Sequence, residues 1–134
     1  MAGGAPQDNL PAEAVLVRFG ISKAATLREN ALVHAERLAD NALPVEYALS
    51  CDYRLGHSAA EIALQSTTPN APAYRQMRQT TVRRMNEIGL SVVPEGDREG
   101  HGRIELGPQL DDEVVKRVEA AFDPPEPNPR YEMS

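Results

Sequence analysis

The chain is predicted to fold as a single-domain α+β protein, a sheet of four to five strands with helices on one face. Three observations predict it. Val45, Tyr47, Leu49, Cys51, Tyr53 and Leu55 alternate strictly with Glu46, Ala48, Ser50, Asp52 and Arg54, the period of a strand with one dry face. A β-rich run at 14–19 is followed by helical spacing from Leu27 to Leu38. A long amphipathic stretch at 71–88 ends at Gly89 and leads into two short apolar runs around a Gly-rich loop.

The elements follow in order. Residues 1–12, rich in Gly, Pro and polar side chains, are expected to be disordered. Val15, Val17 and Phe19 share one face of the first strand and Leu16 and Arg18 the other, until Gly20 breaks it. Ser22 is placed to cap the first helix, whose stripe is Leu27, Ala31, His34, Ala35 and Leu38 and whose end is marked by Asn41 and Pro44. Strand–helix–strand over 14–55 favours a right-handed crossover between parallel strands. Residues 58–67 read two ways. Ser58 with Glu61 makes a capping box, whereas Ile62, Leu64 and Ser66 alternate like a strand; the strand carries slightly more weight, because so short a helix buries little.

From Ala71 to Ile88 the stripe Tyr74, Met77, Thr81, Met85 and Ile88 predicts a helix, with Gly89 as its left-handed terminus and Leu90 packing back on Met85. Residues 90–94 and 103–106 read as strands around the loop EGDREGHG. A last helix at 111–122 has acids in its first turn, a Leu110–Val115 staple, and Val114, Val118 and Phe122 along its buried edge. The domain thus spans 13–122, and the proline-rich tail 123–134 is expected to be extended and unpacked. The order β-α-β-(β)-α-β-β-α resembles a ferredoxin-like sandwich with an added hairpin and terminal helix.

Composition narrows the function classes. With 134 residues and a net charge of −6, the chain is repelled at long range by nucleic acids and anionic membranes. The lone Cys51 excludes an internal disulfide and fits a reducing compartment. No leader-like start and no apolar run of about 20 residues occurs, so a cytoplasmic location without membrane association is expected. No His or Cys pair has metal-ligand spacing and no glycine pattern makes a phosphate loop, so neither metal nor cofactor is expected.

Two constellations carry specific chemistry. Arg75, Arg78, Arg83 and Arg84 lie on the predicted 71–88 helix, before a Gly-rich hairpin. The segment TTVRRMNEIGLSVVPEGDREGHGRIEL resembles the recognition helix and wing of MarR-like regulators, which implies DNA contacts from Arg75, Arg78 and Arg83. At about 100° per residue, however, the arginines surround such a helix instead of lining one face. Separately, Arg18, the run Ser66-Thr67-Thr68 and Glu105 are similar in order to the Arg, Ser-Thr-Ser and Glu pattern of ADP-ribosyltransferases. That resemblance implies Arg18 on the pyrophosphate of NAD, Ser66 bracing the site and Glu105 facing an oxocarbenium-like ribose. Cys51, on the apolar strand face, reads as buried and inert, and His34 as a packed histidine.

With no complete catalytic set, the sequence favours a small binding or regulatory protein that acts through a protein partner or as a homodimer. The winged-helix DNA binder is the first alternative, and the NAD-dependent transferase the second.

Overall fold

A computed structural model describes residues 9–95 and 99–131. The strands are β1 (Val15–Phe19), β2 (Tyr47–Tyr53), β3 (Gln76–Thr81), β4 (Ser91–Pro94), β5 (His101–Gly107) and β6 (Glu126–Pro127). The helices are α1 (Ala24–Asp40), α2 (Ala59–Gln65), α3 (Val82–Glu87) and α4 (Asp112–Ala121). They build an α+β domain around one open sheet of order β4-β5-β2-β1-β3-β6, in which every pair is antiparallel.

The α+β class holds; the expected parallel pairing of the first two strands does not. The strand–helix–strand unit over 14–55 is expected to pair its strands in parallel through a right-handed crossover, but β1 runs antiparallel to both β2 and β3. The residues between α1 and β2 return the chain to the end of the sheet where β1 finished, so the strand–helix–strand unit closes without a parallel pair.

The alternation of β2 sets the main core. Leu49 and Cys51 pack with Leu16, Ile104 and Val92 of the sheet beneath Leu27 and Ala31 of α1, Met85 of α3 and Val118 of α4. Val45 and Leu55, the outer members of the alternating run, lie beyond the strand ends and are exposed. A second, smaller core sits on the opposite face, where Ala59, Ile62 and Ala63 of α2 close over Val17 and Met77. The expected helices on one face are therefore three, with α2 on the other. Ser50, Arg103, Glu105 and Ser91 share that second face by strand register and are less covered.

Within 58–67 the chain is helical over Ala59–Gln65, against the favoured strand reading. Glu61 N–H donates to Ser58 Oγ at 3.2 Å and Ser58 N–H donates to the Glu61 carboxylate at 2.8 Å, a complete capping box. The i, i+3, i+4 set Ala59, Ile62, Ala63 supplies the buried face, so even a short helix finds enough apolar cover.

The helix expected over 71–88 is mostly strand. Gln76–Thr81 pairs along the whole of β1, and only Val82–Glu87 is helical. Thr81 ends the strand and caps α3 through its hydroxyl, which accepts from Arg84 N–H at 3.3 Å. The predicted terminus stands: Gly89 has φ +87°, and Leu90 N–H reaches the Met85 carbonyl at 2.9 Å. The β4–β5 hairpin and α4 fall where expected, apart from the loop at 96–98, which lies outside the described residues.

Both ends differ from the expected disorder, although 1–8 and 132–134 lie outside the described residues. Leu10 belongs to the main core, and its N–H donates to the Val92 carbonyl at 2.8 Å. Beyond residue 122 the chain returns as β6, with Pro127 opposite Gln76. Proline lacks the ladder donor but is tolerated on an edge strand, so the tail packs only where nothing pairs beyond it. Asn128 anchors it, buried, its amide donating to the Ala71 and Tyr74 carbonyls at 2.9 and 2.8 Å. Ser22, expected as a cap, has φ +50° and its hydroxyl accepts from Arg18 Nε at 3.3 Å; Lys23 takes the cap position without a side-chain bond.

Candidate functional site

The sheet face beneath α2 carries a buried polar cluster centred on Asp52. Alternation along β2 turns Asp52 away from Cys51, and the register sets it opposite His101 of β5. The last turn of α2 ends at Ser66 in an extended conformation, which carries Ser66, Thr67 and Thr68 across the end of Asp52. Ser66 Oγ donates to Asp52 Oδ2, and Thr68 Oγ1 donates to Oδ1 at 2.6 Å. Thr68 N–H in turn donates to Ser66 Oγ at 3.0 Å. His101 Nδ1 stands 3.6 Å from Asp52 Oδ1, and Nε2 lies 3.0 Å from Thr67 Oγ1. Asp52, Ser66 and His101 are 5–6% exposed, whereas Thr67 is open to solvent. Beside the cluster lies a cavity of about 10 Å³, lined by Asp52, Arg54, Gln65, Thr67 and His101 among others, room for a single water.

The residues singled out from sequence are placed elsewhere or bound differently. Arg18 points to the α1 side, donating to the Ser50 carbonyl and to Asn30 Oδ1, both at 2.5 Å. Burial lowers its pKa from the ordinary value. Ser66 serves Asp52 on the opposite face. Glu105 pairs with Arg103 at 3.3 Å, four residues along β5 from His101, about 13 Å away at strand spacing. The structure does not bring Arg18, Ser66 and Glu105 together.

Nor does it supply a recognition helix. Arg75 precedes β3, Arg83 lies exposed on the short α3, and Arg78 is buried within β3, its guanidinium spent on main-chain carbonyls. Lone periodicity misread this segment, because Met77 and Met85 belong to opposite faces of the sheet.

Cys51 is buried as expected, and burial raises its thiol from the ordinary 9.0 to about 12, with the nearby Arg18 charge opposing the shift. Because the thiolate is the reactive form, the folded protein is expected to resist a thiol reagent at about pH 8 and to react fully in denaturant; rapid labelling of the native protein would contradict this burial. The linkage has a definite sign. Between about pH 9 and about 12 the unfolded thiol loses its proton while the folded one keeps it, so Cys51 removes stability as pH rises through that window.

A second feature lies where β1 ends and β3 begins. Phe19 and Tyr74 stack with ring centroids 6.4 Å apart, and the Arg75 guanidinium sits 5.7 Å over the Tyr131 ring. Ile21 and Tyr74 are 45% and 43% exposed, and Arg130 donates to the carbonyl of exposed Leu64 at 3.0 Å. An apolar, aromatic and cationic corner results.

Sequence reasoning named Ser66-Thr67-Thr68 but missed Asp52 and His101 as their partners. The polar position within the β2 alternation was the available signal; the register that sets His101 opposite it was not legible. Fold and site together define a single-sheet antiparallel α+β protein with a buried Asp–His–hydroxyl cluster. Compared with models of known protein families, with curated proteins and with solved structures, the chain matches none. No described helix is long and apolar enough to cross a membrane.

Proposed function

We propose that this chain is a small cytoplasmic binding protein of regulatory type that acts by docking a protein partner. The observation that carries the reading is the exposed corner of Ile21, Tyr74, Arg75 and Tyr131, with Leu64 and Arg130 beside it. Tyrosine and arginine dominate the energetics of protein interfaces, because each offers large contact area together with a directional polar group. The cavity at the polar cluster holds about one water, far below the ~300 Å³ of an ordinary small-molecule pocket, which favours recognition by surface. Two arginines at the corner of a chain with net charge −6 select a partner that sets acidic groups around an apolar centre. A second copy of this chain is itself acidic overall.

The test is site-specific photo-crosslinking in cells. A crosslinker at position 74 is expected to trap one discrete protein adduct, either a second copy or a distinct partner, and Arg75→Glu should remove it. The same crosslinker at exposed Glu36 on α1 is the control. Tyr74→Ala should cost about 0.5–1.5 kcal/mol through its lost stack on Phe19 and leave the protein folded. Identical adduct patterns at both positions, with a strictly monomeric protein in light scattering, would dismiss the reading.

A further inference from the structure

We infer that Thr67, His101 and Asp52 form a nucleophile, base and orienting carboxylate competent for acyl transfer from small activated esters. This goes beyond partner docking, and it uses a different part of the surface. Three features of the cluster support it.

The first is order. Asp52 faces Nδ1 of His101 at 3.6 Å, an arrangement that favours the ring proton on Nδ1 and leaves the Nε2 lone pair toward the Thr67 hydroxyl at 3.0 Å. That is the sequence of contacts a hydroxyl nucleophile needs, although the 3.6 Å separation at Asp52 is longer than a hydrogen bond and must tighten as His101 takes up charge.

The second is the division of labour among the hydroxyls. Ser66 and Thr68 hold the carboxylate, while the Thr67 hydroxyl, among the described residues, bonds to His101 and stays exposed. The third is rigidity: Asp52 and His101 face each other across paired strands, and the Thr68 bond fixes the residue next to Thr67.

The chemistry balances without a metal or redox partner. Thr67 Oγ1 bonds to the ester carbonyl carbon as its proton passes to His101 Nε2. The bond to the alcohol oxygen breaks, and the alcohol leaves with that proton. A water, for which the adjoining cavity has room, then attacks the acyl-threonine and gives its proton to His101. Thr67 leaves with it, and a carboxylic acid is released. Arg54, in the same lining, supplies positive charge for the oxyanion. That one-water cavity cannot hold the acyl group as well, so the acyl group lies on the solvent side, beside the exposed Thr67.

The probe is p-nitrophenyl acetate. The wild-type chain is expected to turn it over, and acid quenching should trap acetyl on the Thr67 peptide. Thr67→Val should cut turnover by about a hundredfold or more in a protein that still unfolds cooperatively, its midpoint lowered only by the lost hydrogen bond to His101. Thr67→Ser should retain turnover, and His101→Gln should remove it. Turnover no faster than an equal concentration of free imidazole overturns the inference. So does acetyl placed on another residue, or a Thr67→Val variant as active as wild type.

Discussion

Replacing Arg78 with Met is expected to destabilise the protein by about 3–5 kcal/mol, the range for removing one partner from a buried charged network. The side chain is 7% exposed at the residue level, and it closes the C-terminal end of α4 from outside the helix. Its Nε donates to the Asp123 carbonyl at 2.8 Å, and one terminal nitrogen donates to those of Glu119 and Phe122 at 3.1 and 3.0 Å. The other reaches the Ile21 and Ser22 carbonyls at 3.3 and 3.4 Å, with the Glu119 carboxylate 3.7 Å away. The last carbonyls of a helix have no partner within it and carry partial negative charge, so a cation there satisfies and neutralises at once. Methionine fills similar volume but leaves these acceptors dry. Arg78→Lys should recover only part of the loss, because an ammonium cannot span the fork. Urea titrations of the three proteins measure this directly. A loss under about 1 kcal/mol for Met, the value of one ordinary hydrogen bond, would show that water reaches those carbonyls.

Leu49→Ala should cost about 2–5 kcal/mol, while Leu55→Ala should change stability by less than about 0.5 kcal/mol. Both residues belong to one alternating run, and sequence alone treats them alike. Leu49 is 0% exposed at the centre of the sheet, packed beneath α1, whereas Leu55 lies past the end of β2 at 55% exposed. Truncating the first removes buried methyl groups and leaves a cavity that neighbouring strands cannot collapse. Truncating the second returns already wet surface to water. Equal losses at the two positions, read from the same urea titrations, would mean that the strand extends further than its ladder.

These two residues bracket what was legible beforehand. Leu49 was identified as core because period-2 alternation is a local signal, written within a few residues and independent of what covers the strand. Arg78 reads from the sequence as a helical residue, because its segment also satisfies a helical spacing. Only pairing with β1 decides between the two periods. The same ambiguity at 58–67 was settled by a capping box that was visible in the sequence but given too little weight against an alternation of similar length. At the candidate site, Ser66 and Thr67 were noticed as a motif, but Asp52 and His101 lie 49 positions apart and meet only through strand register.

By itself, then, the amino-acid order determined an α+β chain, the inward face of β2, the Gly89 terminus, the β4–β5 hairpin and the capped final helix. Each of these rests on interactions within a few residues. Tertiary structure alone decided that the strands all run antiparallel, that the proline-rich tail becomes an edge strand, that α2 covers the second face, and that Asp52 meets His101. Those outcomes depend on which distant segments share backbone hydrogen bonds and buried area, and any one segment's side-chain pattern is compatible with several such partners.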